Sequence, residues 1–240
     1  MRFSNWTSAI PTERVKPVFD DIFMRLPVSI KVAFLGMLLA TVMGLPLGVL
    51  SAVKQYSPAD SFLRVASTVL VAMPTFWLAM LLILVFALYL GWLPAGGALT
   101  WQSYILPTIT VGVPYGSKVL RMTRSTMLEE IRQDYVRTAR SKGVPEKKVI
   151  YGHALKNALL PVITTIGSAF GAILGGSVIA ESVFNLPGLG SLIVLSIKAK
   201  DTPSVLASVL LLAVFFALIM LIVDLVYAFI DPRIKAKYAK

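Results

Sequence analysis

Long uninterrupted apolar runs restrict the fold of this chain more than any other feature of its sequence. The longest, from about Ser204 to Ile230, contains one carboxylate and no basic residue. A helix that crosses a hydrocarbon layer of about 30 Å needs roughly 20 mostly apolar residues. Continuous runs favour helices over membrane strands, which alternate apolar and polar residues. An all-α membrane protein is therefore predicted, with five spans: about Val28 to Val53, Val65 to Leu90, Ile105 to Leu120, Ala158 to Ile179 and Ser204 to Ile230.

The composition agrees with a membrane environment. Of the 240 residues, 57% are apolar and 15% are charged, whereas soluble proteins average about 45–50% apolar and about 25% charged residues. The absence of cysteine excludes a disulfide framework, a thiolate metal site and a thiol nucleophile. The net charge of +11 is compatible with a nucleic acid or with anionic lipid as partner, so the location of the basic residues decides its meaning.

The basic residues cluster in segments that are expected on the cytoplasmic side, where membrane proteins carry an excess of lysine and arginine. Ten basic residues and only four carboxylates lie from Lys118 to Lys156. The uncharged segment from Gly91 to Tyr104 carries two tryptophans, as expected at the outer interface. The basic tail after Asp231 places the C-terminus inside. The charge therefore reflects orientation in the bilayer, and no nucleic acid partner is expected.

The N-terminal residues fit this topology only as an external segment. Five spans with the C-terminus inside leave residues 1–27 outside, although they contain four basic residues and lack the apolar run of a signal peptide. A further helix before residue 1 would explain their export; the alternative is a native start at Met1 with unassisted export of a short tail. The predicted organisation is an external segment 1–27, a membrane domain 28–230 with a cytoplasmic loop at 121–157, and a cytoplasmic tail 231–240.

The basic inner loop has the pattern of a folded element. Apolar residues at spacings of three and four predict an amphipathic helix that continues the third span into the cytoplasm. Gly143 ends this helix, Pro145 falls at the first turn of a second helical segment that runs to about Ala158, and Pro161 marks entry into the fourth span. A helix, turn and helix that project from a membrane are suited to docking into another protein. The apolar positions of the first helix are Leu128, Ile131, Tyr135 and Ala139.

The stretch from Asp134 to Pro161 resembles the cytoplasmic loop of permease subunits of ATP-binding-cassette importers, whose pattern reads E-A-A-x-x-x-G followed by I-x-L-P. In that family the short helix fits a cleft on the ATP-hydrolysing subunit and transmits its movement to the membrane helices. Only one of the three leading positions matches, and the spacing to the final pair is longer; both departures resemble the peptide and nickel branch. The residues that the resemblance assigns to this coupling loop are Arg137, Thr138, Ala139, Arg140, Gly143, Val144, Pro145, His153, Leu160 and Pro161.

The resemblance extends along most of the chain. Residues 25–52 and 72–97 resemble the second and third spans of the dipeptide, oligopeptide and nickel branch. Residues 181–193 resemble its external segment before the last helix, and residues 223–235 resemble its C-terminal end. The chain is most similar to the first-permease type, which normally begins with one more spanning helix. The resemblance implies the transmembrane fold of a type I importer, with six helices in a full subunit.

The resemblance also implies partners. These are a second permease subunit in a heterodimer, two ATPase subunits, an extracytoplasmic substrate-binding protein and the lipid bilayer of a bacterial or archaeal plasma membrane. No G-x-x-x-x-G-K-[S/T] loop occurs in the sequence, so the chain is not expected to be an enzyme or to bind a cofactor; its partners would use ATP and Mg. Peptides are the first substrate expectation, and nickel chelates, glutathione-like compounds and sugars remain alternatives.

A few ionisable and helix-breaking residues stand out within or near the predicted spans. Glu181 is placed either in an outer vestibule or at the surface, and Asp224 either in a functional site or paired with a base near the inner end of its span. Pro74 and Pro114 are expected to kink their helices and are candidates for gating. His153 is the only histidine, and because metal sites usually need three or four ligands, no metal site is expected.

Two other classes of protein remain as alternatives. A self-contained secondary transporter or channel would need ionisable or polar residues in the middle of the membrane to couple ions, and the runs offer few. A membrane-embedded enzyme would need paired carboxylates, a histidine cluster or a nucleophile with its base, and none of these patterns is found.

Overall fold

The computed structural model describes residues 18–230; for Gly176, Asp224 and residues 226–230 it describes the backbone only. Within that range the chain is helical and contains no strand, which confirms the all-α prediction. The predicted tail 231–240 and residues 1–17 lie outside the described residues. The helices are α1 (Val18–Val53), α2 (Pro58–Ala72), α3 (Thr75–Leu82), α4 (Ile105–Ile131), α5 (Asp134–Ser141), α6 (Glu146–Lys148), α7 (Leu155–Val183), α8 (Leu189–Lys198) and α9 (Thr202–Ile230).

Helix α1 begins before the predicted start of the first span. Residues 18–27, assigned from the sequence to an external segment, form its first turns, and where the membrane span begins along this helix stays a prediction. Asp20 and Asp21 lie in the first turn, where carboxylates favour the positive end of the helix dipole. Val18 and Ile22 are buried in an apolar cluster with Leu189 of α8. This packing extends the helix beyond the apolar run that the sequence displays.

The second predicted span is two helices. The chain leaves helical geometry at Met73 and Pro74, and α3 starts after Pro74, whose backbone is extended. Proline has no N–H to donate and clashes with the preceding turn, so Pro74 ends a helix instead of kinking one. From Ile83 to Tyr89 the helix widens into π geometry. Pro114, by contrast, lies inside the continuous helix α4.

The number of spans is only partly defined by the helices. By length and apolar composition, three described helical segments can cross a membrane, and the bent pair of α2 and α3 would make a fourth. Helix α4 has 27 residues but does not meet the same criteria, so the count of five stays a prediction. Only 11% of the most apolar stretch of α9 is buried within this chain. Such a surface suits contact with lipid or with another subunit.

The described residues belong to two compact units, each built from three stretches of chain. Among the described residues, unit 1 comprises 18–36, 73–112 and 170–218, and its apolar cluster joins the start of α1 to α8 and α9. Unit 2 comprises 37–72, 113–169 and 219–230 and holds the whole predicted cytoplasmic loop.

Glycines bring α1 and α4 into close contact within unit 2. A Cβ atom on Gly48 would lie 2.5 Å from Cβ of Thr123 and 2.7 Å from the carbonyl oxygen of Leu120. A Cβ atom on Gly44 would lie 2.5 Å from the carbonyl oxygen of Gly116. Gly44 and Gly48 are one turn apart, and such small residues allow two membrane helices to approach backbone to backbone.

We predict that Gly48→Ala destabilises the protein, because the added methyl group meets backbone and a β-branched side chain that cannot move aside. Overpacking of this kind costs about 1–3 kcal/mol. Gly175→Ala is the matched control, since that helical glycine has no atom within 4 Å of its Cβ position. Thermal unfolding in detergent should show a lower midpoint for Gly48→Ala than for Gly175→Ala; equal midpoints would contradict the close contact.

Candidate coupling site

The predicted cytoplasmic helix is separate from α4. Helix α4 ends at Ile131, and α5 begins at Asp134 after a break at Arg132 and Gln133. The prediction of one continuous amphipathic helix was therefore wrong. The backbone of Gln133 is extended, and its carbonyl oxygen accepts a hydrogen bond from the N–H of Val136. Asp134 follows in the first turn of α5, where its charge favours the helix start.

Gly143 ends α5 in the way that the sequence predicts. Its φ of 72° lies in the left-handed region that favours glycine. The N–H of Gly143 donates a hydrogen bond to the carbonyl oxygen of Arg140 at 2.9 Å. The N–H of Val144 donates one to the carbonyl oxygen of Ala139 at 3.2 Å. These two bonds form a Schellman motif, which satisfies carbonyl groups that a helix end would otherwise leave free. The turn after α5 therefore has a defined backbone geometry.

An apolar cluster holds α5 against the rest of unit 2. Val136 and Ala139 are buried and belong to the same cluster as Met127 of α4 and Val49 of α1. Val144 packs against this cluster as well, which supplies the apolar contact that commonly accompanies a Schellman motif. The remaining buried members are Ala52, Val149, Ile150, Ala154 and Ala158. A displacement of α5 would therefore have to be shared by α1 and α4 or would open this cluster.

Tyr135 does not lie on the buried face where the sequence placed it. Its side chain is 38% exposed, and Val136 takes the buried position because the break before α5 changes the helical register. The Tyr135 hydroxyl donates a hydrogen bond to Glu130 at 2.5 Å. Partial burial, and then this hydrogen bond, raise the pKa of Tyr135 to about 12. Tyr135 thereby ties the start of α5 back to the end of α4.

The opposite face of α5 is polar and open. The side chain of Arg137 is 73% exposed, and Thr138 is exposed beside it. Arg140 binds Glu146 across the Gly143 turn through two hydrogen bonds of 2.7 and 3.1 Å. The guanidinium of Arg140 lowers the pKa of Glu146. Because both side chains are partly exposed, the pair contributes little stability, and its effect is to orient the turn.

The second helical segment continues into α7. Helix α6 passes into a π-helical stretch, Val149–Ala154, and α7 follows directly. Pro161 lies inside α7, so no break separates the second helical segment from the predicted fourth span, and entry into the membrane at Pro161 stays a prediction. Leu160 beside it is partly buried. His153 is half-buried in the π-helical stretch, and the described residues contain no group of three metal-ligating side chains that could hold an ion.

A buried ion pair joins three helices of unit 2. Asp60 of α2 is completely buried and accepts two hydrogen bonds from Arg124 of α4, at 2.7 and 2.9 Å. It also accepts bonds from the Ser51 hydroxyl of α1 at 2.5 Å and from the Tyr56 N–H at 3.0 Å. The Arg124 guanidinium holds the pKa of Asp60 well below its usual range. Sequence reasoning missed this pair.

One signal in the sequence points to part of that arrangement. Ser57, Pro58 and Asp60 form a typical helix start, and the N–H of Asp60 donates to the Ser57 hydroxyl at 3.2 Å. The partner Arg124 is 64 residues away along the chain, and no local pattern links the two.

Glu181 is fully buried in unit 1, which contradicts the surface alternative, while a role in an outer vestibule stays a prediction. It accepts hydrogen bonds from the N–H of Gly190 at 2.7 Å, the N–H of Ser191 at 3.2 Å and the Ser177 hydroxyl at 3.0 Å. The N–H of Leu189 donates to a second acceptor, the hydroxyl of Ser29 in α1, at 2.8 Å. The carboxylate at the end of α7 therefore caps the N-terminus of α8, where free N–H groups and the helix dipole favour a negative charge.

Asp224, Pro74 and Pro114 were also predicted to act in the substrate pathway, and the structure does not test these roles. The side chain of Asp224 lies outside the described part of the structure, although the backbone there belongs to α9. Gating roles for Pro74 and Pro114 stay predictions.

The family described as binding-protein-dependent transport system inner membrane component matches residues 44–236. The chain belongs to this family. It is 41% identical over 222 residues to the glutathione transport system permease protein GsiC of Escherichia coli, a match that covers 92% of this chain and 72% of that protein. The GsiC protein of Salmonella paratyphi A has the same identity and coverage.

Solved structures share the fold at lower identity. Inward-facing structures of the MetNI methionine ABC transporter match with TM-scores of 0.74 and 0.75 at 17% and 18% identity, and each match covers 91% of this chain and 100% of the other. Family membership and fold together identify a multi-pass membrane protein that is a permease subunit of an ATP-binding-cassette importer.

We predict that Asp60→Asn destabilises the permease by about 3 kcal/mol, because it leaves the largely buried Arg124 without its charge partner. The folded-state pKa of Asp60 lies below the usual value of 3.8, so its stabilising effect is complete above that value and disappears as the pH falls through the folded pKa. The difference in unfolding midpoint between wild type and variant should therefore stay constant from neutral pH to about pH 5 and shrink only in stronger acid.

The exposed Asp134 supplies the control, since its side chain is 98% exposed. Asp134→Asn should change the midpoint little at any pH. A difference for Asp60→Asn that already shrinks between pH 7 and pH 5 would contradict the lowered pKa.

Proposed function

We propose that this chain forms half of the translocation pathway of an ATP-driven importer for short peptides. The other half would be a second permease subunit, and two ATPase subunits would bind the cytoplasmic loop and use ATP and Mg. A binding protein outside the membrane would deliver the substrate. The C-terminus would lie in the cytoplasm of a bacterium or archaeon. The chain itself would bind no nucleotide.

The observation that carries this proposal is a polar helix held on an apolar base. The exposed side of α5 offers Arg137 and Thr138, and its buried side inserts Val136 and Ala139 into the cluster shared with α1 and α4. A helix packed in this way can transmit a displacement from an ATPase subunit to the membrane helices without bending. The Schellman motif at Gly143 gives the element a fixed end.

Support for a peptide substrate comes from the relatives. GsiC, at 41% identity, is named as a permease for glutathione, which is a tripeptide-like solute. Such an identity over nearly the whole chain makes a substrate of similar size and chemistry the first choice. Nickel chelates and sugars have no comparable support.

The arrangement disfavours a self-contained secondary transporter. Such a transporter needs ionisable groups that can bind and release a coupling ion. Three carboxylates are fully buried among the described side chains: Asp60, Glu181 and Asp201. Hydrogen bonds from neighbouring groups already occupy Asp60 and Glu181. Asp201 is occupied in the same way by the hydroxyl of Ser204 at 2.6 Å.

We predict that Arg137→Glu uncouples transport. The substitution reverses a charge on the open face of α5 and leaves the buried face intact, so the isolated subunit should unfold at the wild-type temperature. In liposomes that contain the complete importer, peptide uptake should fall by about tenfold, which corresponds to about 1.4 kcal/mol of lost interaction. Peptide-stimulated ATP hydrolysis should fall with uptake.

Lys198→Glu is the matched control, because this exposed lysine lies in the last turn of α8 and belongs to unit 1, which does not contain the predicted cytoplasmic loop. It should leave uptake and ATP hydrolysis unchanged. Wild-type uptake by Arg137→Glu, or uptake that continues without any ATPase subunit, would refute the proposal.

A further inference from the structure

A pocket with basic walls opens between α2 and α4 in unit 2. Four cations line it: Arg64 from α2, and Lys118, Arg121 and Arg124 from α4. We refer to this feature as the basic pocket. Its volume is about 790 Å³, which lies within the range of roughly 300–1,000 Å³ that is usual for ligand pockets. Of these residues, only Arg124 belongs to the coupling site described above, through its ion pair with Asp60.

The charge of the basic pocket is only partly compensated. No carboxylate is among its lining residues, and the carboxylate next to it, Asp60, is fully buried and bound to Arg124. Arg64 lies 3.7 Å from the same carboxylate. Lys118 and Arg121 make no ion pair within the described part of the chain, and the ammonium of Lys118 lies 4.6 Å from the centre of the Tyr115 ring. The pocket therefore presents cations that lack an anionic partner.

The other residues that line the basic pocket restrict the kind of ligand that it can bind. The hydroxyls of Ser67 and Thr68 donate to the carbonyl oxygen of Arg64, so they offer acceptor oxygens and the cations supply the strong donors. Val71 and Met122 add an apolar portion to the wall. Guanidinium groups bind planar oxyanions such as carboxylates through paired hydrogen bonds. A carboxylate on a short, partly apolar chain fits this combination.

The form of the basic pocket favours a small solute over a lipid headgroup. Its four cations surround a cavity of about 790 Å³, which a short solute can enter. Lys118 lies near the end of the predicted third span, Ile105 to Leu120, where basic residues can also contact lipid headgroups. Charged side chains that line a water-filled cavity commonly mark substrate pathways. Uptake in liposomes with and without an anionic lipid distinguishes these two sources of anion.

We propose that the basic pocket binds the C-terminal carboxylate of the transported peptide as it passes to the cytoplasm, and that it selects peptides with a free C-terminus over their amides. This inference rests on the proposed import function and names the substrate class for it. Arg121 would be the main contact, since it lines the pocket and has no carboxylate partner of its own within the described residues.

The test compares two substrates in the complete reconstituted importer. Uptake of glutathione and of its carboxyl-terminal amide is measured for wild type and for Arg121→Gln. The variant should lower glutathione uptake by about tenfold, in keeping with the loss of a charge-assisted hydrogen bond, and should change uptake of the amide less than about twofold. Because delivery by the binding protein is the same for both permeases, the ratio of variant to wild type isolates the permease contact.

Two controls separate the alternatives. Lys198→Gln removes an exposed cation that lies outside both the basic pocket and the predicted cytoplasmic loop, and it should behave as wild type with both substrates. The comparison is repeated in liposomes of phosphatidylcholine alone and in liposomes that also contain phosphatidylglycerol. A loss that appears only with phosphatidylglycerol would assign the pocket to a lipid phosphate and overturn the proposal. Equal losses for glutathione and amide, or none, would overturn it as well.

Failure of this inference and failure of the proposed function give different results. If wild-type liposomes take up no peptide in the presence of ATP, the peptide import function itself is wrong. If the wild type imports peptide and Arg121→Gln imports it equally well, only the carboxylate site is wrong.

Discussion

Every backbone N–H and C=O that enters a membrane must find a partner within the protein, and the rest of this structure depends on that constraint. Long helices satisfy it along most of the chain, so the breaks between helices are where side chains are needed. Two buried carboxylates serve this purpose. Asp60 accepts the N–H of Tyr56 at the turn between α1 and α2, and Glu181 accepts the N–H groups of Gly190 and Ser191 at the start of α8. Each carboxylate thus fixes the connection between two consecutive helices within its own unit.

The contacts within unit 2 would let a displacement of α5 reach other helices, as the proposed coupling requires. Asp60 joins α1, α2 and α4 through Ser51 and Arg124, and the apolar cluster around Val136 and Ala139 adds α5 to the same unit. Force applied to the open face of α5 therefore reaches α1 and α4 through side chains that are already in contact. The two sets of contacts differ in character, since the ion pair is directional and the apolar cluster is not.

The sequence predicts the features that depend on local pattern. The apolar runs indicate helices, and the glycine at position 143 indicates a helix end, because both signals lie within a few residues of the feature they describe. The interactions that it does not reveal join distant positions: Asp60 with Arg124, and Glu181 with the start of α8. The break at Arg132 and Gln133 was also missed, since the apolar spacing continues across it. Helix α1 extends to residue 18 because of packing on α8, which no local pattern shows.

The central claim, that the open face of α5 contacts an ATPase subunit, can be tested directly by crosslinking. The chain has no cysteine, so Thr138→Cys provides a single attachment point for a photoreactive maleimide. In the assembled importer, this probe should crosslink to an ATPase subunit, and ATP binding should change the yield, whereas the same probe at Lys198→Cys should not crosslink to it. Equal yields from the two positions, or crosslinks from Thr138→Cys to lipid alone, would contradict the account.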